Sequence, residues 1–268
     1  MVRVGLVGCG TIGTRLAVAL QRHFSKRARI TALHDSHPAH ARALQRRLHP
    51  RPPIVSLPQL IRTSQLVIEA ASVEAASRVI GQALRARRDV FVMSVGVLLR
   101  DRDWVRLARQ AGRRVYIPSG ALAGLDGVKA MAVGRIRRVQ LTTRKPPRAL
   151  ADAPFVRRQG LRLARLKRPV VLFEGSPRQV VRAFPQNTNV AAALALAAGP
   201  AGTRARIRVV ADPALRRNVH EIEVEGDCGS IRCRIESRPS ANPKTSELAV
   251  LSAVATLKRI FEPVALGT

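Results

Sequence analysis

The sequence predicts an α/β chain in two parts: an N-terminal doubly wound parallel sheet, and a second α+β domain with a mainly antiparallel sheet. Three observations carry this. Short apolar runs alternate with helical stretches from residue 2 to residue 118. A Gly-x-Gly-x-x-Gly spacing stands between the first apolar run and the first helical stretch. Beyond residue 118 the runs change to apolar–polar alternation, the pattern of strands with one wet face.

The first run, Val2, Val4, Leu6 and Val7, suits a buried strand, and residues 12–24 suit the helix that follows. Between them lies GCGTIG. Gly8 permits a tight turn, Gly10 lets backbone approach a pyrophosphate, and Gly13 lets helix and strand pack closely, while the helix N-terminus presents free N–H groups. This context marks a Rossmann dinucleotide unit, with Gly8, Gly10, Thr11, Ile12 and Gly13 as cofactor-binding candidates. A second strand, 29–33, ends at His34-Asp35. Asp35 lies where a carboxylate meets the adenosine ribose hydroxyls, and it would favour NAD over NADP by repelling a 2′-phosphate. His34, His37 and Arg42 soften that preference, and a plain turn role for Asp35 stays open. Strands at 65–71, 89–96 and 114–118 and helices at 73–87 and 101–112 complete the sheet. The small residues at 70–72, 94–96 and 118–120 stand at carboxyl ends of strands, where such sheets bind ligands.

In the second half, residues 139–144, 206–210, 221–225 and 230–235 alternate as strands, and 246–261 form an apolar helix. The expected domains are 1–120, completed by 242–268, and 121–241. FPQNTNVAAALALA, residues 184–197, switches from two asparagines to a small apolar run. One amide caps the helix; the second is free for another task. A lone histidine is more often structural than catalytic. His220 is nevertheless the candidate proton carrier, because no Ser-His-Asp or metal-ligand spacing offers another. No metal is expected.

Composition narrows the class. Six of the 47 basic residues are Lys and 41 are Arg, against 17 acids, for a net charge of +30. The arginines run from Arg3 to Arg259, aromatics are 3%, and no nucleic-acid module spacing appears. Dispersed surface charge is therefore favoured over a dedicated nucleic-acid site, with weak non-specific polyanion binding at low salt. The longest apolar stretch, 190–198, is too short to span a bilayer. The N-terminus reads as a strand rather than a signal peptide. Three cysteines without a CxxC pair suit a reduced, cytoplasmic protein.

The chain resembles the L-aspartate dehydrogenase family almost end to end. The shared pieces are GCGTIG (8–13), EAAS (69–72), MSVG (93–96), PSGALAGLDG (118–127), TTRKPP (142–147), LFEGS (172–176), FPQNTNVAAALALA (184–197), NVHEIEVEG (218–226) and NPKTS (242–246). The resemblance implies NAD(P)-dependent oxidation of L-aspartate to iminoaspartate, then hydrolysis to oxaloacetate and ammonia. It also implies a link to NAD biosynthesis and a homodimer. It makes His220 the active-site histidine and places Ala123 and Asn189 against the dinucleotide. Which of Asn187 and Asn189 caps the helix stays open. The two substrate carboxylates need cations, and Arg144 and Lys244 are candidates by position. The basic segment 157–168, RRQGLRLARLKR, departs from the family pattern. The alternatives are a related oxidoreductase for another small amino or oxo acid, or a non-catalytic polyanion-binding protein.

Overall fold

The computed structural model describes all residues except 101–102, 186–188, 239, 241–245, 265–266 and 268. The chain forms two compact units, Met1–Pro118 with Val250–Leu266, and Ser119–Ala249 with the last two residues. Among the described residues no helix is long and apolar enough to cross a membrane.

The first unit runs β1 (Val2–Val7), α1 (Thr11–Phe24), β2 (Ala28–His34), α2 (Pro38–Gln45), α3 (Leu57–Thr63), β3 (Leu66–Glu69), α4 (Val73–Arg85), β4 (Asp89–Val92), α5 (Trp104–Ala111) and β5 (Val115–Tyr116). The five strands are all parallel, in the order β2-β1-β3-β4-β5. The order reverses between β1 and β3, which makes their carboxyl ends a ligand crevice. A further strand beside β2 is reduced to one bridge, Leu33 to Ile54. Pro50, Pro52 and Pro53 explain this, because proline lacks the N–H that a ladder needs. The strand expected over 89–96 stops at Val92, and a 3-10 turn, Val95–Leu99, follows. The helix expected from residue 101 starts at Trp104, where the Asp103 side chain accepts from Arg106 N–H.

The second unit runs α6 (Leu125–Met131), β6 (Ile136–Lys145), α7 (Pro147–Leu150), α8 (Pro154–Arg158), β7 (Val170–Gly175), α9 (Pro177–Ala183), α10 (Asn189–Ala197), β8 (Arg206–Ala211), β9 (Asn218–Gly226) and β10 (Gly229–Ser237). The chain ends with α11 (Glu247–Phe261). The sheet order is β10-β9-β6-β8-β7, and every neighbouring pair is antiparallel except β6 and β8. Val139 and Leu141 of β6, with Ile207, Val209, Ile222 and Val224, bury one face against α6, α8, α9 and α10. The other face carries Arg and Glu. From Val250 onward α11 belongs to the first unit. Its Ala253, Leu257 and Phe261 pack with Leu16, Leu20 and Phe24 of α1.

Candidate active site

The glycine loop shows three separate constraints. Gly8 has φ +92°, and a Cβ there would lie 2.4 Å from the Ala70 carbonyl oxygen. A Cβ on Gly13 would lie 1.8 Å from the Gly8 carbonyl oxygen. A Cβ on Gly10 would meet nothing within 4 Å. Gly10 is also the N-cap of α1, and no side chain caps it. The helix therefore offers Thr11, Ile12 and Gly13 N–H groups over a surface that a pyrophosphate can approach. A pocket of about 250 Å³ opens here, lined among others by Gly8, Gly10, Asp35, Ala71, Ser72 and Arg78.

Asp35 faces this pocket in two roles at once. Its Oδ2 accepts from Cys9 N–H at 2.6 Å, and its Oδ1 accepts from His37 N–H at 2.8 Å. It thus ties the glycine loop and closes its own turn, each oxygen keeping acceptor capacity. His37 and His40 each bring Nδ1 to 3.8 Å from the carboxylate. One ligand atom from each of Asp35, His37 and His40 lies within 4.8 Å of the others, on the same rim. Burial, and then Asp35, push the Cys9 thiol up to about 12, so this loop cysteine is inert at neutral pH. An uncapped helix end, an unobstructed Gly10 and a carboxylate at the end of β2 fit the ADP half of a dinucleotide.

Glu69, fully buried at the end of β3, is a residue of the EAAS motif to which the sequence assigned no role. Its Oε1 accepts from Ala71 N–H and the Ser94 hydroxyl, both at 2.9 Å, and its Oε2 accepts from Ser94 N–H at 2.9 Å. One carboxyl group therefore holds the loops after β3 and β4. This is why β4 ends before Ser94. Burial raises the Glu69 pKa, opposed by its hydrogen bonds to Ser94 and Ala71.

In the second unit the sheet register assembles a polar row on the covered face. His220 of β9 stands opposite Thr143 of β6, and its Nδ1 lies 3.1 Å from Thr143 Oγ1. Lys145 is two residues along β6 from Thr143, so it shares that face. His220 and Lys145 are only 2% and 4% exposed. Burial lowers the Lys145 pKa to about 8. Burial, and then Lys145, lower the His220 pKa to about 3. Desolvation and the neighbouring ammonium thus favour the uncharged imidazole. Burial thus brings the Lys145 ammonium toward the mildly alkaline range.

Arg144 is not part of this row. As the residue between Thr143 and Lys145 it points to the opposite face, where its Nε is 3.2 Å from Glu221. Glu221 is shared with Arg234. Counting by two from His220's partner would have singled out Lys145 in place of Arg144. Ala123 lies exposed in the loop before α6, and Asn189 is the first residue of α10. Asn187, Asn242 and Lys244 lie outside the described residues.

Known proteins share the two-part fold that carries these residues. Residues 126–260 match the family model described as aspartate dehydrogenase, C-terminal. Residues 8–118 match that of a homoserine dehydrogenase NAD-binding domain. The chain is 45% identical to the L-aspartate dehydrogenase of Methanosarcina barkeri over the full length of both. It belongs to the L-aspartate dehydrogenase family. A second relative of that name, from Bradyrhizobium diazoefficiens, is 38% identical over 99% of this chain and 94% of its own. The crystal structure of aspartate dehydrogenase from Thermotoga maritima superposes with a TM-score of 0.75 over the whole of both chains at 25% identity. A homoserine dehydrogenase from Thiobacillus denitrificans shares the fold at a TM-score of 0.61, 97% of this chain covering 73% of that one. The two-part α/β plan is therefore that of the family, and the chain is an oxidoreductase built for a nicotinamide cofactor.

Proposed function

We propose that the protein oxidises L-aspartate with NAD to oxaloacetate and ammonia, and that Lys145 and His220 handle its protons. Full-length similarity to L-aspartate dehydrogenases supports the substrate. The observation that carries the chemistry is the buried Thr143–Lys145–His220 row, because a proton-transfer group must be shielded and matched to the working pH. When bound, the nicotinamide ring supplies the acceptor for the Cα hydride, which turns L-aspartate into iminoaspartate. Lys145 in its neutral form takes a proton from the substrate ammonium and frees the nitrogen lone pair. In its protonated form it stabilises a substrate carboxylate or returns the proton to departing ammonia. His220 stays neutral, oriented by Thr143, and hydrogen-bonds the water that adds to the imine. Asn189 and Ala123 contact the dinucleotide. Asp35 selects NAD, because its carboxylate at the ribose end repels a 2′-phosphate.

Absorbance at 340 nm with L-aspartate and either NAD or NADP tests this. The rate rises with pH as Lys145 deprotonates near 8. His220→Ala and Lys145→Arg each lower kcat by roughly 10²–10⁴, and Lys145→Arg also removes the limb near pH 8. Full activity in Lys145→Arg would return the proton-transfer role to another group. Asp35→Ala narrows the gap between NAD and NADP; an unchanged ratio would place cofactor choice elsewhere.

A further inference from the structure

Arginines of the second unit occupy two unlike environments. On the open sheet face Arg138, Arg144, Arg206, Arg208 and Arg234 each pair with a glutamate. Beyond the ends of β6 and β8 lies a groove of about 1020 Å³ whose rim carries Arg148, Arg162, Arg165 and Arg216. These four are exposed, and none has an acidic partner among the described residues. The one acid on the wall, Asp152, is bridged to Arg157 at 3.0 Å.

The cluster is built by the fold and not by one basic run. Arg148 comes from α7, Arg216 from the loop after β8, and Arg162 and Arg165 from the segment 157–168. A 3-10 turn at Leu163–Arg165 separates the last two by one turn, which sets them on the same side. Leu163 is buried beneath them, and Pro147, Pro213 and Leu215 complete an apolar floor.

Four guanidinium groups around one concavity repel each other, and an anion relieves that cost. Guanidinium forks match phosphate oxygens two at a time. A single phosphate or an amino-acid carboxylate engages one or two forks and leaves most of the groove empty. A chain of linked phosphates reaches all four, and the volume is at the upper end of ordinary ligand sites. We propose that this groove binds a polyphosphate chain, free or carried by a nucleoside triphosphate, at a site separate from the glycine loop.

The test is calorimetry on the full chain at about 0.1 M salt, with saturating NADH to fill the glycine-loop site. Tripolyphosphate and ATP are titrated in separate runs. Saturable one-to-one binding is expected, weakened at least tenfold in Arg162→Ala/Arg165→Ala and unchanged in Arg106→Ala/Arg109→Ala, which removes the same charge from α5. Retained NADH binding and an unchanged melting temperature show that both units of each variant are folded. ATP binding tighter than tripolyphosphate assigns the apolar floor to the nucleoside; equal affinities assign the site to the chain alone. Equal losses in both double variants, no saturable binding, or displacement of ATP by a single-stranded 20-mer at lower concentration would each overturn the proposal. So would tripolyphosphate inhibition competitive with aspartate, which would make the groove the substrate site.

Discussion

Gly10 and Gly13 belong to one sequence spacing, yet the structure asks different things of them. A methyl on Gly13 collides with the Gly8 carbonyl at 1.8 Å, so Gly13→Ala strains the loop and should lower stability by about 1–3 kcal/mol. A methyl on Gly10 meets no protein atom within 4 Å, so Gly10→Ala should lower the melting temperature less than Gly13→Ala, by no more than a weaker N-cap costs. It should instead raise KM for NAD roughly 10–200-fold, because the methyl enters the phosphate approach. A Gly10→Ala protein that melts below Gly13→Ala and binds NAD normally would reverse these assignments. Lys145 poses the opposite trade. Its folded pKa of about 8 lies below its ordinary 10.5, so between those values the unfolded chain holds the extra proton. Stability therefore rises with pH through that window, and the buried ammonium costs on the order of 3 kcal/mol at neutral pH. Lys145→Met should melt higher than the parent at pH 7 and lose the gain in melting temperature between pH 8 and 10, while losing turnover. A lower melting temperature at pH 7 would show that hydrogen bonds to the ammonium outweigh its desolvation.

At the scale of elements, the strand–helix alternation was legible because the first sheet is buried on both faces and its strands are short apolar runs. What stayed hidden depends on contacts distant in sequence. Helices α2 and α3 were not expected, since one begins at a proline directly after the turn His34–His37 and the other is only seven residues long. β7 and α9 were also passed over, although the Ser176–Gln179 capping box that starts α9 can be read from sequence. The polar row needed the register of β6 against β9, which no local pattern supplies; hence Arg144 stood out and Lys145 did not. Glu69 was quoted within a motif, but its role needs the loop after β4 to come within reach. That role makes an element-scale prediction. Glu69→Gln keeps the shape, but turns its amide N–H₂ toward one of the two backbone N–H donors that the carboxyl group accepted from. A cost of about 2–4 kcal/mol is expected, with weaker NADH binding, because the loop after β3 lines the crevice at the switch in strand order. Hydrogen exchange should show faster exchange at Ala71 and Ser94 in the variant. Unchanged protection there would mean the loops are held by other contacts.

At the scale of the whole molecule, the excess of 47 basic over 17 acidic residues sets two effects of salt against each other. Added salt screens the repulsion of a +30 chain, which stabilises the compact state. It also screens the ion pairs on the open sheet face, which destabilises it. The second effect is small. The paired side chains there are mostly a third to two-thirds exposed, and such pairs contribute roughly 0.2–1 kcal/mol each before screening. Repulsion acts between every unpaired arginine and reaches about 10 Å at 0.1 M salt. The melting temperature should therefore rise as potassium chloride is raised from about 0.05 to 0.5 M, and level off once the screening length falls below the spacing between guanidinium groups. Chloride is the right anion for this measurement, since sulfate also strengthens apolar burial and would blur the cause. A melting temperature that falls over the same range would mean that the glutamates gathered on β7, β9 and β10 contribute more than the surplus arginines cost, and that the +30 chain is held together by the few acids it has.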